Sequence, residues 1–261
     1  MVDSVCALGR AVEIRWWKDA CSDTPLVLLH EGLGSVHMWR DFPQTLVAQT
    51  GRSVFAYSRL GHGLSDRPPA PHTSNFMHEE ARAWLPAILD AAAIERAVLV
   101  GHSDGASIAL MFAAAHPGRV EALVLEAPHV FVEDVSIRSI ERMKRLYASG
   151  GLRDRLKKYH RDVDSAFRGW NDVWLDPEFR HWNLEQYLPA ITCAALIIQG
   201  DQDEYGTLRQ VDAIEAQLGG AVTTLILPNC GHAPHRDHPN DVIGAIKIFL
   251  AHAPQHRSTA E

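Results

Sequence analysis

Apolar residues fall in short, unbroken runs along this chain, each closed by glycine or polar residues. Leu26-Val27-Leu28-Leu29, Val54-Phe55-Ala56-Tyr57, Val98-Leu99-Val100, Ala122-Leu123-Val124-Leu125 and Ala195-Leu196-Ile197-Ile198 are such runs, with a more polar one at Thr223-Thr224-Leu225-Ile226-Leu227. A run that is apolar at every position, rather than at alternate ones, predicts a strand covered on both faces. An alanine-rich stretch follows Ser103, and a C-terminal helix is predicted from about Pro239. Strand and helix in alternation predict an α/β fold, with a mostly parallel central sheet flanked by helices.

The segment 129–189 interrupts this alternation. Val135 to Ser149 has helical periodicity and ends at Gly150-Gly151, and a basic stretch runs from Leu152 to His160. Phe167, Trp170, Trp174, Trp182 and Tyr187 then concentrate aromatic side chains in a short region. The expected organisation is therefore a core of residues 1–128 and 190–261 with a helical insertion of residues 129–189. Trp174 is the aromatic residue expected to face a substrate pocket. The other rings serve equally well to seal the insertion onto the core. The basic residues of the insertion suggest an anionic substrate, but charge runs on helices are more often solvated faces.

One junction carries chemistry. Gly101-His102-Ser103-Asp104-Gly105 follows the strand at Val98 and opens the alanine-rich helix, which is the setting of a nucleophile elbow. The turn there is too sharp for side chains beside the serine, so its hydroxyl is presented above the strand at the positive end of a helix. A serine nucleophile needs a base and a carboxylate to orient that base. The strand at Ala195 breaks at Gly200-Asp201-Gln202-Asp203, which puts carboxylates at the C-terminal end of a strand, where open parallel sheets keep their ligands. The last strand is followed by Pro228-Asn229-Cys230-Gly231-His232. The candidates therefore appear in the order serine, aspartate, histidine.

These residues and their order resemble the α/β-hydrolase superfamily of the serine-nucleophile type, and the resemblance spans nearly the whole chain. It implies Ser103 as nucleophile, His232 as base and Asp203 as acid. Asp203 fits the family's Gly-x-x-Asp pattern, with Asp201 as second choice. His232 follows a glycine as the family's histidine does, and His235 and His238 fit less well. The family's oxyanion hole implies backbone N–H donors at Asp104 and, from the loop His30-Glu31-Gly32-Leu33, at Leu33. Glu31 departs from the family's His-Gly pattern there, and His30 reads as a structural residue tying the loop down. Gly61-His62-Gly63-Leu64-Ser65 resembles the family's glycine turn, with Tyr57-Ser58-Arg59 where an aspartate is usual. Gly61 and Gly63 are expected to supply positive φ. The insertion at 129–189 falls where this family carries a cap domain.

The resemblance implies a hydrolase that forms an acyl-enzyme on an ester-type carbonyl. C–C bond hydrolases, lactonases, thioesterases and perhydrolases share the triad. Cofactor-independent dioxygenases and ligand-binding receptors share the fold.

Composition narrows the classes further. The 261 residues suffice for one α/β core with an insertion, and a net charge of −7, from 25 basic and 32 acidic residues, argues against nucleic-acid binding. The start of the chain lacks a leader pattern and no stretch reaches membrane-span length, so a cytoplasmic protein without membrane contact is expected. Cys6, Cys21, Cys193 and Cys230 show no pairing or metal spacing. His232, His235, His238 and Asp237 match no zinc motif, and no dinucleotide fingerprint follows the first strand, so no metal and no cofactor are expected. The expected partner is a small-molecule substrate, and a homo-oligomer is compatible with this reading. The tail from Ala251 to Glu261 is polar and is expected to fray.

Overall fold

The computed structural model describes residues 3–18 and 24–252; Cys21 and all of the polar tail beyond His252 lie outside the described residues. The apolar runs form strands β3 (Leu26–Leu29), β4 (Val54–Tyr57), β5 (Ala97–His102), β6 (Val120–Glu126), β7 (Ala194–Gly200) and β8 (Val222–Leu227). Two N-terminal strands, β1 (Ser4–Ala7) and β2 (Arg10–Trp17), precede them. The sheet order is β1-β2-β4-β3-β5-β6-β7-β8, antiparallel from β1 to β4 and parallel from β4 onward.

Helices α1 (Phe42–Thr50), α2 (Phe76–Glu79), α3 (Leu85–Ala91), α4 (Asp104–Ala115), α5 (Asp134–Ala148), α6 (Gly151–Leu156), α7 (Val163–Trp174), α8 (Arg209–Gln217), α9 (Pro234–Asp237) and α10 (Pro239–His252) complete the fold. Successive strand residues point to opposite faces, and the core divides accordingly. Leu26 and Leu28 pack with α1 and α10, whereas Val27 and Leu29 pack with α3, α4 and α8. Helix α4 is covered on nearly all sides: Ile108, Leu110 and Phe112 are fully buried, each contributing about 2 kcal/mol by removal from water.

Helices α5, α6 and α7 all lie between β6 and β7, and a bridge between Phe131 and Asn183 closes the base of this insertion. His160 joins it to the core. The Gly63 N–H donates to His160 Nδ1 at 2.9 Å, which leaves Nε2–H to donate to the Leu33 carbonyl at 2.9 Å. Gly61 and Gly63 have φ of 79° and 55°. Of the described cysteines, Cys230 is buried, Cys193 half-buried and Cys6 exposed, and none is in a disulfide. Among the described residues, no helix is long and apolar enough to cross a membrane.

Candidate active site

Ser103 sits between β5 and α4 with φ 54° and ψ −121°, a conformation that costs a non-glycine residue of order 1–3 kcal/mol. Both flanking glycines are required sterically. A Cβ at Gly105 would lie 2.0 Å from the Leu29 carbonyl oxygen, and one at Gly101 would lie 2.5 Å from Ala106 Cα. The turn is pinned by a bond from Ser103 N–H to the Glu126 carbonyl at 2.9 Å.

The structure brings Ser103, His232 and Asp203 together. Ser103 Oγ donates to His232 Nε2 at 2.9 Å, and His232 Nδ1–H meets both carboxylate oxygens of Asp203 at 2.8 Å. Asp203 also accepts from Tyr205 N–H at 2.7 Å, Gly206 N–H at 3.2 Å and Gln199 Nε2 at 2.7 Å. Burial alone would raise its pKa; the His232 charge, the His232 hydrogen bond and the Tyr205 N–H outweigh burial and bring it down to about 2. Asp201 is exposed. His235 pairs with buried Glu126 at 2.9 Å, and His238 faces Asp241 at 3.4 Å, so the three histidines of this loop diverge.

Ser103 opens on a cavity of about 410 Å³. Leu33, Asp104, His129, Trp170, Trp174 and Tyr205 line it together with His232. Asp104 is the first residue of α4, so its N–H lies among those that a helix leaves without an internal partner. Its carboxyl is fully buried and accepts from Trp174 Nε1 at 3.2 Å. Burial pushes the Asp104 pKa up to about 6, against the opposing pull of Arg59. The loop bearing Leu33 is braced from beneath. Arg59 is buried and donates to the carbonyls of His30 and, at 3.0 Å, Glu31. His30 is buried too: it accepts from Arg59 N–H at 3.0 Å and donates to the Glu31 carbonyl at 2.7 Å, so the ring ties the loop down.

Three further residues line the cavity without having been assigned a role from the sequence. Tyr205 packs 4.6 Å from the His232 ring, and His129 lies 5.6 Å from it on the other loop. His102 Nε2–H donates to the His232 carbonyl at 2.6 Å. Burial opposes a charge on His102, but Glu31 beside it prevails and raises its pKa. For His129 the available sequence signal was position, since it lies three residues after the end of β6, at the ligand-bearing edge of the sheet. A larger groove of about 610 Å³ runs between the Pro68–Pro71 loop and the opposite side of α7, and the three residues above do not reach it.

The model of the α/β-hydrolase fold family matches residues 24–155, just over half of the chain. The chain belongs to that family. It is 33% identical over 125 residues to a 1-acylglycerol-3-phosphate O-acyltransferase of Rattus norvegicus, a match covering 46% of this chain and 34% of that protein, so the chain spans about a third of that relative's length. It is 25% identical over 261 residues to 2-hydroxymuconate semialdehyde hydrolase of Pseudomonas sp., covering 90% of this chain and 89% of that one. Among solved structures, an esterase from Exiguobacterium antarcticum has a TM-score of 0.76 at 18% identity, covering 96% of this chain and all (100%) of the other. The enol-lactonase from Burkholderia xenovorans LB400 has a TM-score of 0.75 at 18% identity, covering 95% and 100%.

Proposed function

We propose that the protein is a serine hydrolase that cleaves a small ester-type carbonyl substrate through an acyl-enzyme. The observation that carries this reading is the unbroken hydrogen-bond chain from Ser103 through His232 to Asp203, opening on a cavity walled by Trp170 and Trp174. His232 Nε2 takes the hydroxyl proton as Ser103 Oγ attacks the carbonyl carbon, and Asp203 holds the ring in the required tautomer and stabilises the imidazolium. The oxyanion forms against the N–H groups of Asp104 and Leu33, each worth about 3 to 4 kcal/mol in comparable enzymes. His232 then returns its proton to the leaving oxygen. Water, deprotonated by the same nitrogen, attacks the acyl carbon; the bond to Ser103 Oγ breaks, Oγ takes the proton back from His232, and the acid leaves. Residues 129–189 act as the cap, with Trp174 as a wall of the substrate pocket.

Names among the relatives and structural neighbours, an esterase, an enol-lactonase and a semialdehyde hydrolase, agree with carbonyl hydrolysis as the reaction class. The decisive experiment is mass analysis after exposure to a fluorophosphonate. Stoichiometric label on Ser103, lost in Ser103→Ala and His232→Ala, is expected. Folded wild-type protein that stays unlabelled would overturn the reading.

A further inference from the structure

His129 stands beside the proposed base with no task in the mechanism above. Its backbone is fixed from two sides: Ser107 Oγ donates to the His129 carbonyl at 2.6 Å, and Val130 N–H donates to Gln210 Oε1 at 2.8 Å. The ring meets Trp174 edge-on, 5.3 Å between centroids, and lies 5.6 Å from the His232 ring. A Cβ at Gly206 would come within 3.2 Å of His129 Cε1 and 3.4 Å of Nδ1, so the ring has little freedom on that side. His129 is 2% exposed, its Nδ1 is buried with no hydrogen-bond partner, and it lines the same cavity as Ser103.

An aliphatic side chain would fill this space without stranding a polar atom. A neutral imidazole carries one donor and one acceptor. Because Nδ1 meets no acceptor, placing the proton on Nε2 avoids a stranded N–H. Burial, helped by the nearby His232, lowers the pKa of His129 to about 3, so the ring remains neutral in ordinary buffers and does not oppose the imidazolium forming on His232.

We propose that His129 determines specificity: its Nε2–H donates a hydrogen bond to a second oxygen of the substrate, close to the scissile carbonyl. The substrate class is then acyl groups that carry an oxo, hydroxyl or ether oxygen near the reacting carbon, seated against the tryptophan walls. The inference rests on the acyl-enzyme reading and narrows it. A site built around a buried donor rejects the analogue that lacks the acceptor, because the donor is then left unpaired.

p-Nitrophenyl methoxyacetate and p-nitrophenyl butyrate test it, since an ether oxygen replaces one methylene at nearly constant shape. Each kcat/KM is divided by the ester's hydroxide hydrolysis rate to remove intrinsic reactivity. Wild type is expected to favour methoxyacetate about tenfold, the equivalent of one modest hydrogen bond. His129→Leu is expected to erase that preference, and His129→Gln, whose amide also donates, to keep part of it. An absent preference in wild type, an unchanged one in His129→Leu, or equal losses on both esters would overturn the proposal. If wild type cleaves neither ester, the ester reading fails separately, and His129 is then judged by binding. Ser103→Ala protein is titrated with both intact esters by tryptophan fluorescence; a methoxyacetate preference abolished by adding His129→Leu supports the proposal, and equal Kd values refute it.

Discussion

Asp104 invites a measurement that isolates one buried carboxyl. It is fully buried, with Oδ1 on Trp174 Nε1 and Oδ2 buried without a partner. Its pKa is raised from 3.8 to about 6 by burial. The folded state therefore holds the Asp104 proton more tightly than the unfolded chain between those pH values. Its contribution to stability is fully present below pH 3.8 and is lost as pH rises through about 6. Two pKa units at 1.36 kcal/mol each give a loss of about 3 kcal/mol. Asp104→Asn keeps an oxygen to accept from Trp174 and has no charge to desolvate. Its stability relative to wild type should thus rise by about 2.5 kcal/mol between pH 4 and pH 8. Urea unfolding of both proteins, followed by tryptophan fluorescence at half-unit pH steps, measures this directly. Contributions from other titrating groups such as Glu80, also raised by burial to about 7, appear in both proteins and cancel in the difference. A difference that stays flat within about 0.5 kcal/mol across this range, the usual limit of additivity, would refute the reasoning.

Asp203→Asn should leave the loop folded, because its remaining oxygen can still accept from Tyr205 and Gly206, yet lower ester turnover by roughly 10⁴, as in comparable triads. A drop of less than about tenfold, which is only about 1.4 kcal/mol, would remove Asp203 from the mechanism. Gly105→Ala forces a Cβ to within 2.0 Å of the Leu29 carbonyl, so either β3 or α4 must shift. A loss of about 3 kcal/mol in urea unfolding is expected, and a variant as stable as wild type would show that the elbow has slack.

What the sequence made legible was whatever rests on local backbone sterics. The unbroken apolar runs marked strands β3 to β7, and Gly101-x-Ser103-x-Gly105 marked a turn where neither glycine has room for a side chain. Asp203 and His232 were picked out because each lies in a loop after a strand and because the α/β-hydrolase resemblance implies an acid and a base there. Strand β2 was not read, since charged Arg10, Glu13 and Arg15 break any apolar run there, and neither was the four-residue β1. The contacts that complete the site were equally silent. Glu126 meets His235 across 109 residues, Trp174 meets Asp104 across 70, and Gly63 meets His160 across 97. Such pairs depend on how the chain returns to itself, and hydrophobic periodicity carries no record of that.

The imidazole of His160 couples the 129–189 segment to two loops of the core. It grips the glycine turn with one nitrogen and the loop of Leu33 with the other. Transplanting this chain's 129–189 segment onto another scaffold of the same architecture would import one part of a three-way joint, whose two remaining parts are backbone atoms of the host. A chimera that replaces the segment without a histidine at this place would therefore alter the seat of the Leu33 loop even where every core residue is untouched. Swaps meant to change substrate preference would then disturb rate as well, unless the joint travels with them.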